Sequence, residues 1–314
     1  ERAQRVQPDF DPAAEGEAVA AICRLVEGMP LAIELAAGWV RVMSCAEIAA
    51  EIQRSADFLA SDTRNLPARH RSLRAVFERS WNLLNPDEQT LLARLSVFQG
   101  GFTRQAAVAV ADAAASAIPR RLAGLVDHSF LRRQSGERFD MHGLLHRFAA
   151  EQLAADPAVE NDARQRHASF YADLVAQAGW ELEPGDPAAG EAADRDGPNV
   201  LAAWRWGVEN RDASVVERMM RWLVDYFRRR GDYNGGAAAF ESAVLAFRSP
   251  EEGVEQAGLL GSLLLRLGKC FQRSGGDYKI AAALEAVTLL RRANPKQPLD
   301  LAQALVTLGT AHAS

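Results

Sequence analysis

Residues Phe139–Leu153 read FDMHGLLHRFAAEQL, and the reading of this stretch decides the fold. Phe139 and Asp140 alternate like the end of a short strand, and from Met141 the period changes. Leu144, Leu145, Phe148, Ala149 and Leu153 fall at the spacings of one helical face. The pattern predicts an amphipathic helix opening near Met141, with His142 in its first turn. Backbone N–H groups are unpaired there and the dipole is positive, so the position suits an anion. A capped amphipathic helix with a surface histidine satisfies the same spacing.

Working outward, Phe130–Arg133 and Arg138–Asp140 are strand-like pieces joined across Ser135-Gly136, a hairpin signal. Asn85-Pro86 breaks one helix, whose apolar face holds Leu73, Val76, Phe77, Trp81 and Leu84, and restarts another through Leu91, Leu92 and Leu95. After LSVFQGGF, with Gly100-Gly101 as the turn, further helices are expected at about 103–112 and 118–127. Three helices followed by a β-hairpin make a winged helix, and the motif helix comes directly out of the wing. A basic linker, RNLPARHRSLR (Arg64–Arg74), leads into it.

Near the start, a helical face of Val19, Ile22, Cys23 and Val26 stops at Gly28, the residue that most readily turns left-handed after a helix end. Pro30 then stands where the next helix begins, a position in which proline's missing N–H costs nothing. Ser44 with Glu47 three residues on predicts a capping box for a third helix. Downstream, a helix is expected over 160–179, then a hinge or mobile connector at Glu181–Pro198, rich in Gly, Pro and acid. Paired helices follow at about 199–210, 213–230, 235–248, 254–273, 279–293 and 298–313. Leu267-Gly268 recurs as Leu308-Gly309, and Gly231-Asp232-Tyr233 as Gly276-Asp277-Tyr278. The period is longer than the roughly 34 residues of the tetratricopeptide repeat, yet the signals predict a repeat of that kind, with small residues letting helices approach closely.

Composition narrows the function. At 314 residues, two or three domains are expected. A net charge of -5 gives no global push towards nucleic acid. The three cysteines, Cys23, Cys45 and Cys270, lie far apart without a CxxC pair, so neither a zinc site nor a disulfide framework is indicated. No signal peptide or membrane-spanning run is present, and the cytoplasm is the expected compartment. The opening at Glu1 without methionine, and the end within a helical pattern, give the expectation of a piece of a longer protein.

No GxxxxGK[ST] loop or Walker-type acidic strand occurs in the chain. His142 and His146 sit one turn apart, but the HExxH glutamate and a third ligand are missing, so no metal site is expected. No Ser/His/Asp or Cys/His grouping is legible, so no catalytic residues are assigned and the chain is not expected to be an enzyme. Arg120, Arg121, Arg132 and Arg133 flank the helix and wing that would meet a duplex. That helix, RRLAGLVDHSFL, has few side chains suited to base edges, and nucleic acid is not an expected partner.

Met141-His142, followed by Leu144-Leu145, an aromatic-Ala pair and Glu151-x-Leu153, resembles the Met-His-Asp motif of STAND-type signalling ATPases, the NB-ARC relatives. GMPLAIELAA, from Gly28 to Ala37, is similar to the Gly-x-Pro motif of their helical domain. The order of parts also fits: helical domain, winged helix ending in Met-His, helical connector, then repeats. Gly143 stands where many members have aspartate, and His146 where arginine is common. The resemblance implies that Gly28, Pro30 and His142 bind nucleotide in the longer protein, Pro30 against adenine and His142 on a phosphate. It implies ADP or ATP with Mg in that protein and no cofactor in this chain alone. Its implied partners are the protein's own nucleotide domain and a protein, peptide or small-molecule trigger on the repeats. The longer protein would oligomerise on activation, with this chain alone a monomer.

The expected fold is therefore mainly α: a helical bundle plus a winged helix with a short β-hairpin, followed by a tetratricopeptide-like α-solenoid. Expected boundaries are 1–66 for the helical domain, 67–156 for the winged helix, 157–198 for a helical connector and mobile loop, and 199–314 for the repeats. A DNA-binding winged-helix regulator with a repeat-type interaction domain is the alternative.

Overall fold

The computed structural model describes all residues except 1–2, 5–6, 8–9, 12–13, 27, 41–42, 55–72, 136, 178–186, 249–252, 271–275, 294–297 and 313–314. Most of the basic linker, and the expected boundary between the first two domains, lie outside the described residues. The chain divides into two compact units, Glu1–Ala163 and Arg164–Ser314.

In the first unit, α1 (Gly16–Leu25), α2 (Pro30–Trp39) and α3 (Cys45–Arg54) form the helical bundle, with α1 packed on both others. Ile22, Val26, Leu35, Ile48 and Ile52 are buried in it. The expected capping box opens α3: the Ser44 N–H donates to Glu47 Oε2 at 2.8 Å, and the Glu47 N–H donates back to Ser44 Oγ at 3.3 Å. The bond from the Ser44 N–H, and after it one from the Ser44 hydroxyl to the same oxygen, hold the Glu47 carboxyl below its ordinary range.

The winged helix follows α4 (Leu73–Trp81) and comprises α5 (Pro86–Leu95), β1 (Phe102–Thr103), α6 (Arg104–Val110), α7 (Ile118–Asp127), β2 (Arg132–Gln134) and β3 (Arg138–Asp140). Asn85 caps α5 in a reciprocal box with Glu88, and Pro86 takes the first turn where its missing N–H is harmless. The hairpin is three-stranded rather than two-stranded. β1 joins it in the order β1-β3-β2, with Phe102 opposite Phe139 and Arg133 opposite Phe139 on the other side. Phe98 stacks on Phe102 with centroids 4.5 Å apart, and Phe102 on Phe139 at 6.1 Å, so the short strand is fixed by aromatic packing. α7 turns Ile118, Leu122 and Leu125 into the core. The motif helix α8 (Gly143–Ala154) buries Leu144, Leu145, Phe148, Ala149 and Leu153, the face expected from their spacing. It starts two residues later than expected, so His142 precedes the first turn instead of lying within it.

α9 (Pro157–Gln177) crosses from the first unit into the second. On its first-unit part, Asp162 pairs at 2.7 Å with the buried Arg94, which also donates to the Val110 carbonyl at the end of α6. The second unit continues with α10 (Pro187–Glu209), α11 (Ala213–Arg230), α12 (Tyr233–Phe247), α13 (Val254–Cys270), α14 (Gly276–Ala293) and α15 (Pro298–His312). Each helix packs on the next. α10 also packs on α12, α11 on α13 and α13 on α15, the stacking of a tetratricopeptide-like array.

Two expectations need correction here. The connector expected to run to Pro198 is helical from Pro187, with Pro198 inside the helix. Gly197 is a packing site, since a Cβ there would strike the buried Tyr226 ring on α11, whereas one on Gly190 would meet only the movable end of the Arg229 side chain. The Leu-Gly signals are not close-approach sites, because a Cβ on Gly268 or Gly309 would meet nothing within 4 Å. Close approach occurs instead at Gly261, whose Cβ would lie 2.7 Å from Leu290 Cγ on α14. The Gly-Asp-Tyr signal has a cap chemistry. Gly231 closes α11 in the left-handed conformation at φ 64°, and Asp232 caps α12 through the Gly235 N–H. Its second copy begins at Gly276, where α14 opens.

Candidate functional site

α1 ends in a turn that the sequence fixes closely. Gly28 takes φ 72°, its N–H donates to the Cys23 carbonyl at 3.0 Å, and Met29 donates to the Val26 carbonyl at 2.9 Å. Pro30 is the first residue of α2. Gly28 and Pro30 are exposed, and a Cβ on Gly28 would meet nothing within 4 Å, so the space beside the turn is open.

His142 meets this turn from the winged helix. It is the N-cap of α8, and its Nδ1 accepts from the Leu144 N–H at 3.3 Å. Its Nε2 lies 3.1 Å from the Val26 carbonyl oxygen. An acceptor at Nδ1 requires the proton on Nε2, so the ring is the neutral tautomer donating to Val26. The Val26 carbonyl thus receives two hydrogen bonds, from Met29 and from His142, which fills both lone pairs. The fold brings the three residues singled out in sequence, Gly28, Pro30 and His142, to one junction although more than a hundred residues separate the last from the others.

Arg147, one turn and a half further along α8, makes a parallel contact. Its Nη1 donates at 2.6 Å to the carbonyl of Ile52, in the last turn of α3. The last four carbonyls of a helix have no partner within it and carry the negative end of the dipole, so a guanidinium there is favourable. α8 therefore reaches carbonyls at the ends of both α1 and α3. Behind it, Phe148 packs on Phe77 at 5.9 Å and Trp81 at 5.7 Å, and Arg74 pairs with Glu151 at 2.9 Å across exposed surface. His146 points elsewhere, with its Nε2 2.8 Å from the Phe98 carbonyl. The two α8 histidines thus engage different carbonyls and do not converge. Neither Arg147 nor the Val26 carbonyl was singled out in sequence, since a backbone acceptor has no residue signature.

The face of the winged helix that would meet a duplex is mixed in charge. On α7, Arg120, Ala123 and Asp127 are exposed, while Arg121 is paired with Asp87 of α5. In the wing, Arg132 pairs with Asp140 at 3.1 Å. A groove of ≈ 330 Å³ between α7 and the wing is lined by Arg104, Asp127, Arg133 and Glu137 over Leu122 and Phe139. Two of the four flanking arginines are thus neutralised, and two acids stand in the groove.

Residues 84–154 match the family model described as a winged helix-turn-helix domain. This agrees with the helix and strand order above. Over 320 aligned residues the chain is 31% identical to a protein of Mycobacterium bovis and to one of Mycobacterium tuberculosis H37Rv, both provisionally named HTH-type transcriptional regulators. Each alignment takes in 98% of this chain and 36% of the relative, so the chain spans about a third of the length of these curated relatives. An uncharacterised M. tuberculosis H37Rv protein is 38% identical over 136 residues, 42% of this chain and 35% of that one. Among solved structures, a STAND protein with a tetratricopeptide repeat sensor from Pyrococcus horikoshii aligns with 99% of this chain and 55% of its own. Its identity is 13% and its TM-score 0.25, a likeness that carries no argument.

Proposed function

We propose that this chain is the regulatory and sensor portion of a STAND-type signalling ATPase, with the winged helix closing on bound ADP and the repeats taking a trigger. The supporting observation is the His142–Val26 hydrogen bond beside the Gly28-Met29-Pro30 turn. His142 holds its donor proton on Nε2, at an open turn whose glycine lets a ligand approach the backbone. The nucleotide, when bound in the longer protein, would supply adenine to the exposed Pro30 and phosphate oxygens to that donor. A phosphate oxygen and a carbonyl oxygen accept from the same tautomer. His142 can exchange one for the other without moving a proton, while Nδ1 keeps its bond to Leu144. Arg147 on Ile52 holds α8 in place during such an exchange. A trigger would open the junction by binding the open form better than the closed one. On this reading the chain alone turns over no ATP, because it has no loop to wrap the β- and γ-phosphates.

The second reading is a DNA-binding regulator using the winged helix, and the names of the mycobacterial relatives favour it. Against it stand the paired Arg121 and Arg132, and the acids Asp127 and Glu137 on the face that would meet DNA. A mobility-shift series across salt separates the two. A sequence-selective nanomolar complex would establish the DNA reading, and binding that is weak, unselective and steeply salt-dependent supports the first.

A further inference from the structure

A second cluster of charged side chains lies in the repeat unit, far in sequence from the motif helix. Ser262, Arg266 and Lys269 recur along one face of α13, and Asp300 and Gln303 face them from α15. Ser262 Oγ donates to Asp300 Oδ2, and Arg266 Nη2 donates to Asp300 Oδ1 at 3.0 Å. Asp300 is thereby committed to two partners. The Arg266 side chain is only 15% exposed, and its other terminal nitrogen, Nη1, is buried with no hydrogen-bond partner among the described residues. Such a donor is costly to leave unmade. Lys269 Nζ bonds at 2.9 Å to the neutral amide oxygen of Gln303. Burial, followed by the nearby charge of Arg266, pushes the Lys269 ammonium below its ordinary range, with Arg228 adding to this and Asp300 and Asp225 opposing it. Arg228 is itself paired with Asp225 at 2.9 Å. Among the described residues, three cations thus stand against two acids, and both acids are already engaged.

We propose that Arg266 and Lys269 form a binding site for an oxyanion, a carboxylate or a phosphate group, between α13 and α15. A guanidinium edge and an ammonium offer charge-assisted donors to one such group. The bound oxygens would satisfy Arg266 Nη1 and supply the acceptor charge that Lys269 lacks. If the repeats take the trigger of the proposed switch, its recognised group is anionic. That extension rests on the switch reading, whereas binding itself does not.

The test is a titration of the 314-residue chain with inorganic phosphate and, separately, with acetate, at ionic strength held constant with chloride. Lysines occur only at 269, 279 and 296, so ¹³C labelling of lysine reports on Lys269 with little overlap. The expected result is a saturable shift of the Lys269 resonance by at least one anion, with the tighter of the two naming the ligand class. Arg266→Gln should weaken binding by about tenfold or more. Gln303→Glu keeps the fold by giving Lys269 an internal carboxylate, and should raise the melting temperature while abolishing the saturable shift. No saturable shift with either anion, or an unchanged response in Gln303→Glu, overturns the site. The assay contains no nucleotide domain, so its failure leaves the switch reading untouched.

Discussion

Among the described contacts, replacing His142 with alanine removes two hydrogen bonds that act on different parts of the fold. The first is the Nδ1 cap on the Leu144 N–H, and losing an N-cap costs about 1 kcal/mol. The second is the donor to Val26, a neutral hydrogen bond contributing about 1 kcal/mol net. Val26 keeps its bond from Met29, so no buried acceptor is orphaned and no further penalty applies. The sum is about 2 kcal/mol, and a unit the size of Glu1–Ala163 loses roughly 2–4 °C of melting temperature per kcal/mol. His142→Ala should therefore melt about 4–8 °C lower in differential scanning calorimetry. His142→Asn separates the contributions, since asparagine caps well but is too short to reach Val26, and should lose about half as much. A His142→Ala chain melting within about 1 °C of the parent would refute this reasoning. So would an asparagine variant as damaged as the alanine one, because the cap would then count for nothing.

In the repeat unit, burial drives His167 down to about 4 from 6.5, so the folded state favours the neutral ring bonded to Asn199. A depressed histidine binds its proton more readily unfolded, so stability is full above pH 6.5 and is lost as pH falls towards 4. The loss should be on the order of 3 kcal/mol, and His167→Gln should flatten the melting profile across that window. Gly261→Ala should destabilise, because overpacking against Leu290 costs about 1–3 kcal/mol and outweighs the helix-propensity gain. Gly268→Ala, with nothing near its Cβ, should stabilise by about 0.5–1 kcal/mol, and urea titrations of the two variants check both signs. Purified chain should show ATP turnover no higher than a buffer blank, and turnover well above it would contradict the regulatory reading.

Local chemistry made much of the fold legible. The Gly28-Met29-Pro30 turn, the Ser44–Glu47 box, the wing and the buried face of α8 each rest on residues close in sequence. What stayed hidden depends on distant partners. β1 is two residues long and is held by Phe98 and Phe139, so it carries no period of its own. The stretch from Pro187 to Pro198 has a loop's composition, yet it is helical, and Gly197 lies against the Tyr226 ring with no room for a Cβ. Tertiary packing there outweighs the low helix propensity of glycine and proline. At the candidate site, the sequence marked Gly28, Pro30 and His142 but not what joins them. His142 reaches the Val26 carbonyl across 116 residues, and Arg147 reaches that of Ile52 across 95. Backbone oxygens are common to every residue type, so neither contact could be read before the fold was known.

We propose that the His142 donor, on Val26 in this structure, serves nucleotide in the longer protein. The direct measurement is ADP retained after gel filtration by that longer protein, parent beside His142→Asn, with the melting temperature of each recorded. A hydrogen bond to a charged group contributes roughly 1.5–3 kcal/mol, so His142→Asn should hold ADP about tenfold to a hundredfold more weakly. Equal ADP retention by the two proteins, with the variant merely less stable, would show that His142 is a structural bridge between winged helix and bundle and nothing more.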